Sequence, residues 1–467
     1  MNPANTIAAL CTPQGKGALA LIRVTGPEAI QLFSKVFVPL NKDFDFENSA
    51  QGNKIYNGYV TDINGDTLDR AVVLVFKAPH SYTGEDTVEI SCHASSYILQ
   101  QVLGALFECG VIPAQPGEFT QRAFLNKKMD LTQAEAVADL IASGTKANHQ
   151  LAINQMKGGI SIEISRLREK LLKFVSLVEL ELDFSEEDVE FADRTELKGI
   201  LTEVENYLSK LVSSFATGNA IKNGIPVAIA GFPNAGKSTL LNTLLNEDKA
   251  IVSDIPGTTR DIIEDVTVID GISYRFIDTA GIRQTSDLIE NLGIDRAKKA
   301  VDKASILILV IDPQPSINEQ INQIVPQNFD GLLIVAVNKS DIADCDIDII
   351  SAEKTISELN INDYKIINIS AKKNIGLDKL QDIISNYENG KISQSDYILT
   401  NARHQILFKK SLESIQRAHE GLKAGISGEF FSQDIREAMQ YFGEITGNEI
   451  TPDEVLGNIF KNFCIGK

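Results

Sequence analysis

The chain has 467 residues, with 63 Asp plus Glu against 44 Lys plus Arg and a formal net charge of −19. A hydrophobic fraction of 43% and a charged fraction of 23% are ordinary for a chain that buries real cores, which excludes global disorder. The acidity argues against a stand-alone nucleic-acid binder, because such a protein draws its affinity from Lys and Arg neutralising phosphates. At roughly 150 residues per domain, the length suggests about three domains. Residues 129–388 carry −16 of the net charge, and residues 175–205 hold eleven acids and two bases, which reads as a solvated helix face and loop.

Residues 1–128 read as mixed α and β. Short strand-like runs at Ala18–Val24, Ala71–Phe76 and Thr87–Ile90 are separated by turn-rich stretches such as 62–66, and Tyr97–Phe107 reads as a helix. After Lys128 the pattern turns helical. Thr132-Gln-Ala-Glu135 has the form of a capping box. Ile153, Met156, Ile160, Ile164, Leu167, Leu171 and Val178 then form a helix stripe, over some 30 residues and on the order of 45 Å. Near Gly224 buried strand runs begin to alternate with amphipathic segments: Val227–Ala230, Tyr274–Ile277, Ile306–Ile311, Leu332–Val337 and Ile366–Ile369. Strands rich in Ile and Val alternating with helices predict a mainly parallel sheet. From Ala402 the helices return. Ile435, Met439 and Phe442 share a face, and Thr451-Pro452 caps a further helix carrying Val455, Leu456, Ile459 and Phe460. The expected fold is therefore an α+β N-terminal domain (1–128), then a helical domain in two parts (129–222 and 389–467). An α/β domain (223–388) is inserted between those parts.

Five cysteines, Cys11, Cys92, Cys109, Cys345 and Cys464, are too few and too scattered for a disulfide framework. The N-terminus lacks a basic region and long apolar core, and no apolar run reaches bilayer-spanning length. The expected compartment is a reducing, cytoplasmic one.

The chemistry is concentrated in the inserted domain. Gly231-Phe-Pro-Asn-Ala-Gly-Lys-Ser238 fits GxxxxGK[ST] between an apolar strand and a helix. In that context the backbone amides of Asn234, Ala235, Gly236, Lys237, Ser238 and Thr239 can cradle phosphates, Lys237 can reach the β/γ-phosphates and the Ser238 hydroxyl can hold Mg²⁺. Asp278-Thr279-Ala280-Gly281 ends the second strand, where an acid can bind Mg²⁺ through water and the Gly281 amide can sense the γ-phosphate. Asn338-Lys339-Ser340-Asp341 ends another strand, and its aspartate can accept from guanine N1 and N2. A site built around such a buried carboxylate rejects the wrong base by up to about 10⁴-fold. Ser370-Ala371-Lys372 ends the last strand, where its backbone can meet guanine O6. Together these make GTP the expected ligand.

The stretch Asp254-Ile-Pro-Gly-Thr-Thr-Arg-Asp261 has the character of a switch segment, with Thr259 as the Mg²⁺-sensing hydroxyl. Ile282 follows Gly281, at a place where a glutamine would orient the attacking water. Isoleucine cannot do so, which leaves Arg260, Arg283 and Glu290 as candidates.

These motifs resemble the translation-factor-like branch of P-loop GTPases. The chain as a whole resembles the MnmE (TrmE) family within the TrmE–Era–EngA-like group. The resemblance is carried by Ala20–Gly26, Ser81–Asp86, Pro116–Asn126, the GTPase motifs with Phe-Pro-Asn-Ala, and the end Phe463-Cys-Ile-Gly-Lys467. It implies a homodimer whose N-terminal domain binds a 5-formyltetrahydrofolate-type cofactor, with Arg23, Glu89 and Lys128 lining the site and Lys467 reaching it. It implies K⁺ held by Asn234 and by the loop around Ser253, Ile255 and Thr258, the nucleotide being enclosed by Ser253, Asp254, Ile255, Pro256, Gly257, Thr258 and Thr259. Pro256 and Ser253 depart from some members, which have alanine and threonine there.

The resemblance further implies that Glu290 orients water and that Cys464 projects toward the modifying centre, with either a catalytic or a positioning role. As a prenylation signal Cys464 is a poor fit, given Gly466 and Lys467 after it. The implied activity is modification of C5 of a tRNA wobble uridine with a flavoprotein partner, MnmG (GidA), in a heterotetramer or larger complex. The net charge adds the expectation that tRNA affinity depends on that more basic partner. A ribosome-assembly GTPase of the Era or Der kind would call for an RNA-binding appendage, and no basic one follows residue 389. A membrane-associated switch lacks a span.

Overall fold

The computed structural model describes residues 5–13, 15, 17–183, 193–246, 265–277, 300–312, 317–341, 349–392, 398–448, 456, 459–460, 463 and 466. The chain packs as two compact units. The first comprises residues 1–141, 153–200 and 414–467, and the second 142–152 and 201–413.

The first unit is built on seven strands: β1 Ile7–Leu10, β2 Leu19–Thr25, β3 Phe37–Pro39, β4 Lys54–Thr61, β5 Thr67–Phe76, β6 Thr87–His93 and β7 Ile112–Pro113. They lie in the order β3-β4-β5-β6-β2-β1-β7. All neighbours are antiparallel except β1 and β7. Period-two alternation puts Ile22, Val24, Val73, Val75, Val88 and Ile90 on one face, where they pack with α1 Ala29–Ser34, α2 Phe46–Ser49 and α3 Ser96–Glu108. The register aligns Arg23 with Glu89, Glu89 with Leu74, and Leu74 with Ile55. Those residues therefore share the opposite face, together with Leu19 and Val72. Helix α4, Glu118–Leu125, brings Phe119 onto the end of that face, against Ile7 and Ala9.

Helix α5, Leu131–Ala142, corrects the capping expectation. Its start is held by Asp130, whose carboxylate accepts from the Gln133 amide at 2.9 Å, while Gln133 Oε1 accepts from the Asp130 amide at 2.9 Å. That is a reciprocal capping box two residues earlier than the Thr132–Glu135 reading. The Thr132 hydroxyl instead meets Asp130 Oδ1 and Ser161 Oγ, each at 2.7 Å. The long stripe is likewise corrected to two helices, α6 Lys146–Met156 and α7 Gly159–Asp183. Gly158, at φ 78, separates them and Met156 is exposed. From Ile160 onward the stripe is buried as expected. Helix α8, Arg194–Asn223, follows.

The second unit carries a six-stranded sheet: β8 Ile225–Ala230, β9 Asp265–Ile269, β10 Ile272–Phe276, β11 Ile306–Ile311, β12 Leu332–Val337 and β13 Tyr364–Asn368. Its order is β13-β12-β11-β8-β10-β9, parallel except for the edge strand β9. Strands β11 and β12 are buried at every residue, as expected for parallel strands covered on both faces. Ile306, Ile308 and Val310 enter a core shared with α9 Lys237–Asn246 and α12 Leu377–Ile392. Leu307, Leu309 and Ile311 enter the core on the other face, with α10 Ile317–Ile324 and α11 Ile349–Glu358.

Helices α13 Ala402–Lys423 and α14 Gly428–Thr446 complete the described elements. Ile435, Met439 and Phe442 form a buried face of α14. The Thr451-Pro452 cap lies outside the described residues, while Leu456, Phe460 and Phe463 are buried with Leu131 and Ala134.

Candidate functional site: a nucleotide cradle and a separate sheet-face pocket

Strand β8 is the point where the sheet order reverses, since the chain continues to β10 on one side and then to β11 on the other. Open α/β sheets bind ligands at the carboxyl ends of strands at such a point. The phosphate loop 231–238 leaves β8 there and runs into α9. Gly231, Asn234 and Gly236 all have positive φ, at 149°, 62° and 99°, a backbone that turns amides into an anion-binding concavity. Glycine is required twice by close approach. A Cβ on Gly231 would lie 2.2 Å from the Val310 carbonyl oxygen, and one on Gly236 would lie 2.2 Å from Asn338 Nδ2.

Lys237 Nζ donates to the carbonyls of Gly231 and Phe232 at 2.8 and 2.7 Å. This arches the side chain over the loop. Burial holds its ammonium below the ordinary lysine pKa, a cost that a bound polyphosphate would offset. Ser238, at the start of α9, is half-buried, whereas Asn234 and Thr239 are exposed.

The elements expected to meet the base arrive on neighbouring strands. Asn338 follows β12 and is buried. Its Nδ2 donates to the Ala235 carbonyl at 2.8 Å, and its Oδ1 accepts from the Ala371 amide at 3.0 Å. One side chain thus ties the phosphate loop to the loop after β13. Asp341 Oδ1 accepts from the Ser370 hydroxyl at 2.7 Å, and this bond, ahead of the nearby Lys373 charge, holds the Asp341 carboxyl below the usual carboxylate range. Lys339, at φ 65, pairs with Asp312 at the end of β11. Ala371 is buried and Lys372 exposed.

The structure therefore brings Asn234, Ala235, Gly236, Lys237, Ser238, Thr239, Asn338, Lys339, Asp341, Ser370, Ala371 and Lys372 to one edge of the sheet. Ser253, Asp254, Ile255, Pro256, Gly257, Thr258, Thr259, Asp278, Thr279, Ala280, Gly281 and Glu290 lie outside the described residues.

A second site lies on the open face of the seven-stranded sheet. Arg23 meets Glu89 Oε1 through Nε at 2.9 Å and Nη2 at 2.8 Å. Its guanidinium lies over the ring of Tyr82, 5.0 Å from the centroid, and over that of Phe119, 5.4 Å from the centroid. Beside this stack is a cavity of about 320 Å³ lined by Asn53, Phe76, His80, Ser81, Tyr82, Thr87 and Glu89. Lys128 reaches the same loop, donating to the Pro79 carbonyl at 2.9 Å. Cys464 and Lys467 lie outside the described residues.

Motif reading missed the support beneath this pocket. Arg122, only 4% exposed, pairs with Glu118 at 2.9 Å and Glu85 at 3.1 Å, and donates to the Asn5 carbonyl at 2.8 Å. Thr25, Thr83 and Thr87 join their hydroxyls next to it. The signal for Thr83, Glu85, Glu118 and Arg122 was their membership of the Ser81–Asp86 and Pro116–Asn126 stretches, and for Thr25 that of Ala20–Gly26, none of which named a role; Thr87 was marked only as the start of a strand-like run.

The strand–loop–helix cradle, with the Asn338–Asp341 segment tied to it at the same sheet edge, defines a P-loop GTPase that binds GTP. A family model described as "MnmE helical domain" matches residues 131–464, and one described as "GTP-binding protein TrmE N-terminus" matches residues 6–128. The tRNA modification GTPase MnmE of Bacteroides thetaiotaomicron is 52% identical over 478 residues, covering 99% of each chain. That of Flavobacterium johnsoniae is 50% identical over 471 residues, again 99% of each. That of Parabacteroides distasonis is 50% identical over 468 residues, 99% of this chain and 100% of the other. The chain belongs to the MnmE (TrmE) family of tRNA modification GTPases.

Proposed function

We propose that this chain is a K⁺-dependent GTP hydrolase of the cytoplasm that works as a homodimer with the flavoprotein MnmG (GidA). Together they convert C5 of the wobble uridine of certain tRNAs to an aminomethyl or carboxymethylaminomethyl group, with tetrahydrofolate supplying the one-carbon unit. The observation that carries this reading is the coexistence in one chain of a nucleotide cradle and a separate Arg23–Glu89 pocket. A nucleotide switch alone would have no use for the second site.

In the cradle, Lys237 spends two of its three protons on loop carbonyls, leaving the third for a phosphate oxygen. Asn338 fixes the phosphate loop against the base loop. The residues present fit the implied ions. Ser238 offers a hydroxyl at the helix start for Mg²⁺, together with Thr259. The exposed, left-handed Asn234 offers an amide oxygen for K⁺, with Ser253, Ile255 and Thr258. A fixed cation there supplies positive charge beside the transferred phosphoryl group. Glu290 would hold the attacking water. Domain limits of 1–128, 129–222, 223–388 and 389–467 remain our reading of how these functions are divided.

The sheet-face pocket suits a folate. Glu89 offers a carboxylate, Arg23 and Lys128 offer cations, and Tyr82 and Phe76 offer apolar rings to a planar heteroaromatic ligand. The folate supplies one-carbon chemistry, and Cys464 and Lys467 belong to the tail assigned to that centre. A homodimer is supported by the same open face, which exposes Leu19 at 63% and Ile55 at 64%. No helix among the described residues is long and apolar enough to cross a membrane.

GTP turnover in KCl against NaCl tests the ion, and nucleoside analysis of tRNA from a strain lacking the chain tests the product. Faster turnover in KCl and loss of the wobble modification are expected. Equal rates would remove the K⁺ mechanism, and unchanged uridines would remove the tRNA role.

A further inference from the structure

Lys373 stands just beyond the Ser370-Ala371-Lys372 element and has no part in the GTPase motifs, yet its Nζ lies 3.5 Å from Asp341 Oδ2. The two oxygens of Asp341 are thereby divided. Oδ1 takes the Ser370 hydroxyl at 2.7 Å and Oδ2 faces the Lys373 ammonium. The partners differ in rigidity. Ser370 is 1% exposed, and its loop is closed by the Ser370 amide on the Ile375 carbonyl at 2.9 Å and the Ile375 amide on the Ser370 carbonyl at 3.1 Å. Asp341 is likewise enclosed, with 8% of its side chain exposed. Lys373 sits at the tip of that closed loop, beside the left-handed Asn374, with 60% of its side chain exposed. Its backbone is held by the Lys373 amide on the Ser370 carbonyl at 3.2 Å, while most of its side chain faces solvent.

Guanine presents two neighbouring N–H donors, and a carboxylate that reads both must offer both oxygens. Lys373 lies on an oxygen that has to be offered. We propose that Lys373 is a specificity-site residue that competes with guanine for Asp341 Oδ2 and is displaced from that oxygen when guanine binds. It thereby weakens guanine-nucleotide binding and speeds release. The Ser370 bond persists throughout, because the second lone pairs of Oδ1 remain available. An exposed ammonium is a suitable occupant: its pairing energy is small and screened by salt, so it competes for the oxygen without barring guanine. Lys339, the other nearby ammonium, is paired with Asp312 and does not compete for this oxygen.

The inference rests on Asp341 being the guanine reader, and the experiment separates the two claims. Release of a fluorescent GDP analogue from the full-length chain is followed after a chase with excess GDP, at low and high salt. Lys373→Met should release the analogue about two- to fivefold more slowly at low salt, with the difference shrinking at high salt. Lys373→Arg, which restores the charge, should release it at the wild-type rate. Unchanged or faster release from Lys373→Met at low salt overturns the proposal. Asp341→Asn should fail to retain the analogue. If it binds normally, the assignment of Asp341 itself falls, whatever Lys373 does.

Discussion

The side-chain amide of Asn338 donates to the main-chain carbonyl of Ala235, 103 residues earlier, at 2.8 Å. This bond joins the phosphate end of the site to its base end, because the same Asn338 also accepts from the Ala371 amide. Both partners are buried, so loss of the side chain leaves two backbone groups without a mate. Asn338→Ala should therefore cost about 2–3 kcal/mol and lower GDP affinity by one to two orders of magnitude. Thermal unfolding with and without GDP checks this. A variant that binds GDP like the parent would show the tie to be dispensable.

The Arg122 guanidinium neutralises two enclosed carboxylates, Glu118 and Glu85. Removing one member of such a buried network costs about 3–5 kcal/mol, because the remaining charges lose their counter-ion. Arg122→Ala is expected to lower urea stability by that amount. A change below about 1 kcal/mol would mean that solvent reaches the carboxylates after all.

Glu89→Gln keeps the shape of the sheet-face pocket but removes its anion. Affinity for 5-formyltetrahydrofolate, measured by calorimetry, should fall about 10- to 100-fold, the usual consequence of neutralising one charged hydrogen-bond partner. Unchanged affinity would move the folate elsewhere.

Cys92 lies on the buried side of β6, and burial, with Asp69 adding to it, pushes its thiol up to about 11. Between an ordinary value near 9.0 and 11, the folded chain keeps a proton that the unfolded chain has lost. The stabilising contribution is thus complete below that window and disappears as pH rises through it. At pH 8 the folded chain should leave Cys92 unmodified by iodoacetamide, whereas denatured chain should react. Mass spectrometry of the Cys92 peptide reads the outcome, and rapid labelling in the folded state would refute the burial argument.

Several elements were legible before folding was considered. The limits of β11 and β12 coincide with the apolar runs Ile306–Ile311 and Leu332–Val337, because a strand covered on both faces needs an apolar residue at each position. Edge strand β9, Asp265–Ile269, alternates partly exposed and buried residues and went unread. Strand β4 was also missed. It contains Gly58, a poor strand former, where a Cβ would lie 2.4 Å from the Val38 carbonyl oxygen. At α5 the stretch Asp130–Glu135 contains two overlapping capping patterns, and the Thr132 hydroxyl is engaged by Asp130 and by Ser161, 29 residues onward, rather than by a helix amide.

By itself the sequence determined the local chemistry: a glycine-rich loop with lysine and serine between an apolar strand and a helix, an aspartate just past the end of another apolar strand, and an acidic balance concentrated in residues 129–388. Only the tertiary structure decided which partner each polar group keeps. Arg23 meets Glu89 because β2 and β6 pair in that register. Asn338 meets Ala235 because β8 and β12 end at the same sheet edge. Lys373 rests on Asp341 because the loop after β13 closes on itself. Motif spacing reports what the backbone can do within a turn or two. Contacts across tens of residues depend on strand register and loop closure, which the packed chain sets collectively.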